Sequence, residues 1–213
     1  MLKNFEVNVK FFVRNEIQVY MNNISFKQYR AIDLCIWMVI LLIFEFVTAT
    51  AAAKWFPGEL YTLSQTIAVL CIVMMRWGGY AVIHAVAGGA VFCFASGGSI
   101  EQFAVYCVGN CFALIALVLF KAVNKEKVRS KVHFTIIFTA AAFCGAQLGR
   151  WLVSLVFGAP FDSLVMFFTT DSLTLLYSVV VVLVSRRVDG LYEDQKSYLI
   201  RTESERKRRE EEF

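Results

Sequence analysis

Four ionisable side chains stand inside otherwise apolar stretches of this chain: Glu45, His84, Arg150 and Asp171. Gln65, Asn110, Gln147, Thr48, Thr170, Thr174 and Ser178 are their uncharged companions. A charge is costly to desolvate, so each such group calls for a partner or a ligand. A guanidinium such as Arg150 suits a carboxylate or phosphate, which it can grip with two parallel N–H bonds. Glu45 or Asp171 would hold an amine or a protonated nitrogen. Gln147, Arg150 and Ser154 recur at i, i+3 and i+7, one polar stripe on a helix, and Asp171, Thr174 and Ser178 repeat the pattern. Glu45 and Thr48 share a face. Two carboxylates and one guanidinium leave a negative charge unmatched if all are ionised. Two readings stay open: pairing that only holds helices together, or a site for a ligand, a proton or a cation. His84, followed by Ala85, Ala87, Gly88 and Gly89, reads as a packing residue. A histidine and a lone carboxylate are too few for zinc, and no Ser/His/Asp or HExxH arrangement occurs. The sequence therefore assigns no catalytic residue, metal or cofactor.

The elements that must position these groups are apolar segments. With 58% hydrophobic residues and positive mean hydropathy, the chain is no soluble globular domain. Six segments read as spans: Asp33–Ala53, Leu60–Met75, Gly79–Ser96, Phe103–Phe120, His133–Phe157 and Leu164–Ser185. Each approaches the ~20 residues that cross a hydrocarbon core of ~30 Å. Alternating the connections puts nineteen of the twenty-one Lys and Arg residues on one side, leaving Lys54 opposite and Arg150 within a span. By the positive-inside rule that side is cytoplasmic and holds both termini. The expected fold is all-α: an integral membrane bundle of six helices with an N-terminal amphipathic interfacial helix. This topology gives each polar residue a depth. Glu45 lies near mid-membrane, and Gln147, Arg150, Gln65, Asn110 and Asp171 in the outer half or at its base. The expected substrate-binding set is Glu45, Asn110, Gln147, Arg150, Asp171 and Thr174.

Three regions follow. Residues 1–30 form a cytoplasmic arm in which Phe5, Val9, Phe12, Val13, Ile17, Tyr20 and Ile24 recur at helical spacing, suited to the lipid headgroups. Residues 31–187 form the transmembrane domain. Residues 188–213 form a charged tail, which reads as a solvated extension of the sixth span laced with i,i+4 pairs. The first thirty residues lack a compact apolar run, so no cleavable signal peptide is expected. Ala141, Gly145 and Gly149 are spaced by four, a small-residue face for close helix packing. The prolines, Pro57 and Pro160, fall in outer loops, so continuous helices are expected. All six cysteines fall within spans and read as packing residues. The basic residues are explained by sidedness and imply no nucleic acid. No GxxxxGK[ST] or GxGxxG is present, so energy for active transport would come from a partner or an ion gradient.

The stretch Arg76-Trp77-Gly78-Gly79 through Ala95-Ser96-Gly97-Gly98 resembles the S components of energy-coupling factor (ECF) transporters. Phe167-Phe168-Thr169-Thr170-Asp171 and Ser185-Arg186-Arg187-Val188-Asp189-Gly190-Leu191-Tyr192-Glu193-Asp194-Gln195-Lys196 are similar to that family too. The resemblance covers spans two to six. It implies a subunit of a bacterial or archaeal plasma membrane, embedded in lipid, that captures a vitamin-like micronutrient in an outward-facing pocket. It would topple to deliver it when docked on a transmembrane T subunit driven by two ATPases. The family's Ala-x-x-x-Ala docking motif corresponds to Ala49 and Ala53. The other expectations are a small membrane scaffold with structural buried charges, or a solitary proton-coupled carrier. No inverted repeat supports the carrier.

Overall fold

The computed structural model describes residues 25–55 and 62–211, so the predicted amphipathic arm lies almost wholly outside the described residues. The chain divides into two units, residues 1–36 and 37–213. In the first, the start of α1 (Phe26–Trp55) is capped reciprocally: Gln28 N–H donates to Ser25 Oγ at 3.3 Å and Ser25 N–H donates to Gln28 Oε1 at 2.8 Å. The second unit holds the remainder. Its helices are α2 (Thr66–Trp77), α3 (Val82–Ser96), α4 (Ile100–Cys111), α5 (Val118–Val123), α6 (Lys125–Ser130), α7 (Val132–Val156), α8 (Ser163–Thr170), α9 (Ser172–Ser185) and α10 (Gln195–Glu211). Short 3₁₀ turns join α2 to α3 and α4 to α5. The described residues contain no strand.

Among the described residues, four helical runs are long and apolar enough to cross a bilayer: Phe26–Trp55, Thr66–Ser96, Ile100–Val123 and Val132–Val156. Ser163–Thr170 and Ser172–Ser185, meeting at 44°, make a fifth if counted as one. The run Thr66–Ser96 is not straight. Gly78 takes φ 62°, and a Cβ on Gly88 would lie 2.4 Å from Thr66 Oγ1. A straight helix would hold those residues about 33 Å apart at 1.5 Å per residue. The run is a hairpin, with arms of 12 and 15 residues. Each arm, about 18 or 22 Å long, is shorter than a hydrocarbon core of ~30 Å. The segment expected to start a helix at Leu60 starts one only at Thr66.

Along Trp37–Trp55, α1 buries one narrow stripe, Trp37, Leu41, Glu45 and Ala49, at four-residue spacing. Ile43, Phe44, Phe46 and Val47 on its other faces are exposed. An apolar exterior of this kind is compatible with a membrane. Inside, glycines let α3, α4 and α7 approach closely. A Cβ on Gly89 would lie 2.6 Å from the Tyr106 backbone, one on Gly149 2.4 Å from Gly109 O, and one on Gly145 2.5 Å from Phe112 O. The Gly145 and Gly149 stripe thus packs against α4 and the turn that follows it.

At the opposite end, Arg186–Asp194 folds into turns between α9 and α10. The tail is therefore a separate helix and not an extension of α9. Arg76 Nη1 ends these turns by donating to Gly190 O at 2.6 Å and Leu191 O at 2.9 Å. Glu193 accepts Arg129 at 2.5 Å and Arg201 at 2.9 Å, and Lys125 binds Asp194 at 2.5 Å. This charged clasp joins α2, α6 and α10.

Candidate functional site

The sharpest local constraint falls on Arg150. A Cβ on Gly109 would lie 2.6 Å from Arg150 Cα and Cγ, so only glycine lets α4 pass this close. The contact puts the next residue, Asn110, beside the guanidinium. Arg150 Nε donates to Asn110 Oδ1 at 2.9 Å, and Nη1 donates to Gln147 Oε1 at 3.3 Å and to Asp171 Oδ2. Gln147 Nε2 donates to the same carboxylate oxygen at 2.7 Å, and the Thr62 hydroxyl donates to Oδ1. The guanidinium carbon lies 4.5 Å from the centroid of the Tyr106 ring, a cation–π contact. Arg150 is 1% exposed. Four residues from α4, α7 and the α8–α9 junction thus surround one buried cation.

Asp171 reaches this network because the helix breaks there. Its φ of −94° and ψ of 10° separate α8 from α9, and Thr170 O accepts from Thr62 N–H at 2.9 Å. No proline marks the break, which is why the sequence reads Leu164–Ser185 as one helix.

Glu45 and Thr174 do different work. The non-helical residues 62–65 leave backbone donors that need partners. Ser64 N–H donates to Thr174 Oγ1 at 3.0 Å, Gln65 N–H to Glu45 Oε2 at 2.7 Å, and Thr66 N–H to Ser64 Oγ at 3.1 Å. The Thr174 hydroxyl donates onward to Thr62 O at 3.3 Å. Glu45 therefore sits at the N-terminal end of α2, where the helix dipole favours an anion. The Arg150 guanidinium pairs with Asp171, and Glu45 receives a backbone amide instead.

All six expected binding residues are buried, and they fall into two linked groups. Asn110, Gln147, Arg150 and Asp171 form one. Glu45 and Thr174 flank residues 62–65, whose Thr62 hydroxyl joins the two. His84 is buried within α3. Ala49 belongs to the buried stripe of α1 whereas Ala53 is exposed, so the pair presents no continuous outward surface. Sequence reasoning missed Thr62 and Ser64, and Tyr106 was not in the expected set. The signal for the first two was the polar run Thr62, Ser64, Gln65 and Thr66 within a supposed span.

The clasp end carries a pocket of about 290 Å³ lined by Arg129, Arg186, Arg187, Asp189, Tyr192 and Glu193, among others. Its cations are largely engaged: Arg129 binds Glu193, and Arg186 donates to Arg129 O at 2.5 Å and Ser130 O at 2.6 Å. Among the described residues no group of three His, Cys, Asp or Glu side chains is placed to hold a metal ion. No family model, curated protein or solved structure matches the chain.

Proposed function

We propose that the chain is a substrate-capturing membrane subunit of the ECF type. It crosses the bilayer six times, with both termini and the clasp cytoplasmic and the Arg150 network towards the outside. Arg150 receives a carboxylate or phosphate of a small, vitamin-like molecule, and Asp171 holds its place when the site is empty. The observation that carries this reading is a guanidinium 1% exposed, stacked on an aromatic ring and bonded to residues of α4, α7 and the α8–α9 junction. An arriving anion would exchange with the Asp171 carboxylate at Nη1, while Thr62 and Gln147 keep their bonds to Asp171. Tyr106 would offer its ring to the ligand. The hairpin at Gly78 supports two short crossings in place of one long one. The captured molecule would pass to a T subunit driven by two ATPases.

Mass spectrometry of small molecules retained by the purified protein tests this reading. A single organic anion lost on Arg150→Ala, with a T subunit and ATPases co-purifying from the source membrane, is the expected result. An empty, folded wild-type protein would sink the proposal.

A second reading has its own observation. The described partners of Arg150 and Asp171 satisfy one another, as in a scaffold whose buried charges only hold helices together. Arg150→Met with Asp171→Leu separates the two. A scaffold keeps its fold and loses nothing; a capture subunit keeps its fold and loses its ligand.

A further inference from the structure

The buried charges of the bundle do not balance. Arg150 engages Asp171, Gln147 and Asn110. Glu45, 0% exposed, accepts the Gln65 N–H on Oε2 and has no cation bonded to it among the described residues. Among the described residues its buried Oε1 and the buried Thr66 hydroxyl make no hydrogen bond of regular geometry. The Ser64 and Thr66 hydroxyls are the polar side chains beside this carboxylate. The N-terminus of α2 supplies roughly half a positive charge, which offsets only part of an ionised carboxylate. In a low-dielectric interior the remainder attracts a counter-charge strongly.

We propose that Glu45, Ser64 and Thr66 form a site for one compact monovalent cation, distinct from the Arg150 network. Its ligands are a carboxylate oxygen and two hydroxyls, all hard oxygen donors suited to an alkali ion or to a primary ammonium group. They gather in the non-helical residues 62–65 and the first turn of α2. A site with a single carboxylate matches one positive charge. The shared chemistry is a small cation with no bulky substituent; it comes from free sodium or potassium, or from the ammonium head of a bound organic molecule.

The full-length protein in lipid nanodiscs is melted in choline chloride at constant ionic strength while NaCl, KCl or methylammonium chloride replaces choline. A saturable rise in melting temperature with an alkali ion, absent in Glu45→Gln, assigns the site to that ion. A rise with methylammonium alone, again absent in Glu45→Gln, assigns it to an ammonium group. Gln at position 45 can still accept the Gln65 N–H. Thr66→Val removes a single hydroxyl and raises the half-saturating concentration about tenfold, and it serves where Glu45→Gln does not fold. No rise with any of the three salts, or equal rises in wild type and variants, overturns the proposal. Retention of an organic anion through Arg150 is a separate readout, so either idea can fail alone.

Discussion

Arg150 and Arg129 both bind a carboxylate through Nη1, Arg150 inside the bundle and Arg129 at its charged end. The side chains of Arg150 and Asp171 are 2% and 4% exposed, and their other described partners are neutral: two amides, a hydroxyl and an aromatic face. Arg129 is 28% exposed, and its Glu193 is shared with Arg201. In the interior each additional partner is a neutral dipole, because a second full charge would be costly to bury. At the clasp, water screens the partly exposed Arg129 and Arg201, so two cations gather cheaply on the buried Glu193 and each contributes little. The same chemical pair is therefore a rigid, high-stakes element in one place and an adjustable tether in the other.

The contrast breaks first at Asp171. Asp171→Asn keeps the shape, but its single carbonyl oxygen can accept from Thr62 or from Gln147 and not both, and it leaves the Arg150 charge without its carboxylate. Removing one partner of a buried pair costs about 3–5 kcal/mol. The thermal midpoint in detergent or nanodiscs should fall by the largest amount of any variant named here. The fall should be insensitive to salt, and Arg150→Met with Asp171→Leu should recover much of it. A loss that salt erases would place this pair in the same class as the clasp.

Next comes Gly109→Ala, which tests how the network is positioned. The new methyl would lie 2.6 Å from Arg150 Cα and Cγ, where no flexible chain end can yield. Overpacking of this kind costs about 1–3 kcal/mol. Hydrogen exchange should rise along α4 and α7 while α10 keeps its protection. Uniform loosening of both ends would contradict the separation of the two regions.

Much of the buried network was legible in the sequence, and the reasons are physical. Polar residues in apolar segments are few, and helical spacing fixes their faces. Gln147, Arg150 and Ser154 do share a buried stripe, and the Gly145 and Gly149 face does pack closely. What stayed hidden is where the backbone leaves the helix. Residues 62–65 and the break at Asp171 contain neither glycine nor proline, and both are stabilised by partners remote in sequence. Glu45 accepts an amide 20 residues away and Thr62 bonds Asp171 109 residues away. Hydropathy registers none of that, so the backbone partner of Glu45 could not be read from the sequence. The tail misled for a similar reason: its alternating charges predict a helix correctly at Gln195–Glu211, but not the turns that Arg76 fastens before it.

At the clasp the effects shrink. Glu193→Gln removes the carboxylate shared by Arg129 and Arg201, and hydrogen bonds to charged groups are worth about 1.5 kcal/mol or more when lost. Proteolysis between α9 and α10 should quicken, and more so at low salt than at high. The bundle's thermal midpoint should barely move, in contrast to Asp171→Asn.

The smallest effect belongs to Asp194. Burial alone would raise its carboxyl, but the Lys125 ammonium and the Ser197 N–H and hydroxyl outweigh that and hold it below its ordinary value of 3.8. A carboxyl depressed on folding contributes stability that is complete above the unfolded value and disappears as pH falls through the folded one. The side chain is 32% exposed, so screening limits the contribution to about 0.2–1 kcal/mol. Protection of the first turn of α10 should therefore hold steady from neutral pH down to about 4 and decline below it. Asp194→Asn separates charge from capping. The amide oxygen can still accept the Ser197 N–H, as Asp194 Oδ2 does at 3.1 Å, but the attraction to Lys125 is gone. Its α10 should start slightly less protected at neutral pH and show a flatter acid limb. An unchanged acid limb in the variant would show that the tether depends on the arginine pair and not on Lys125.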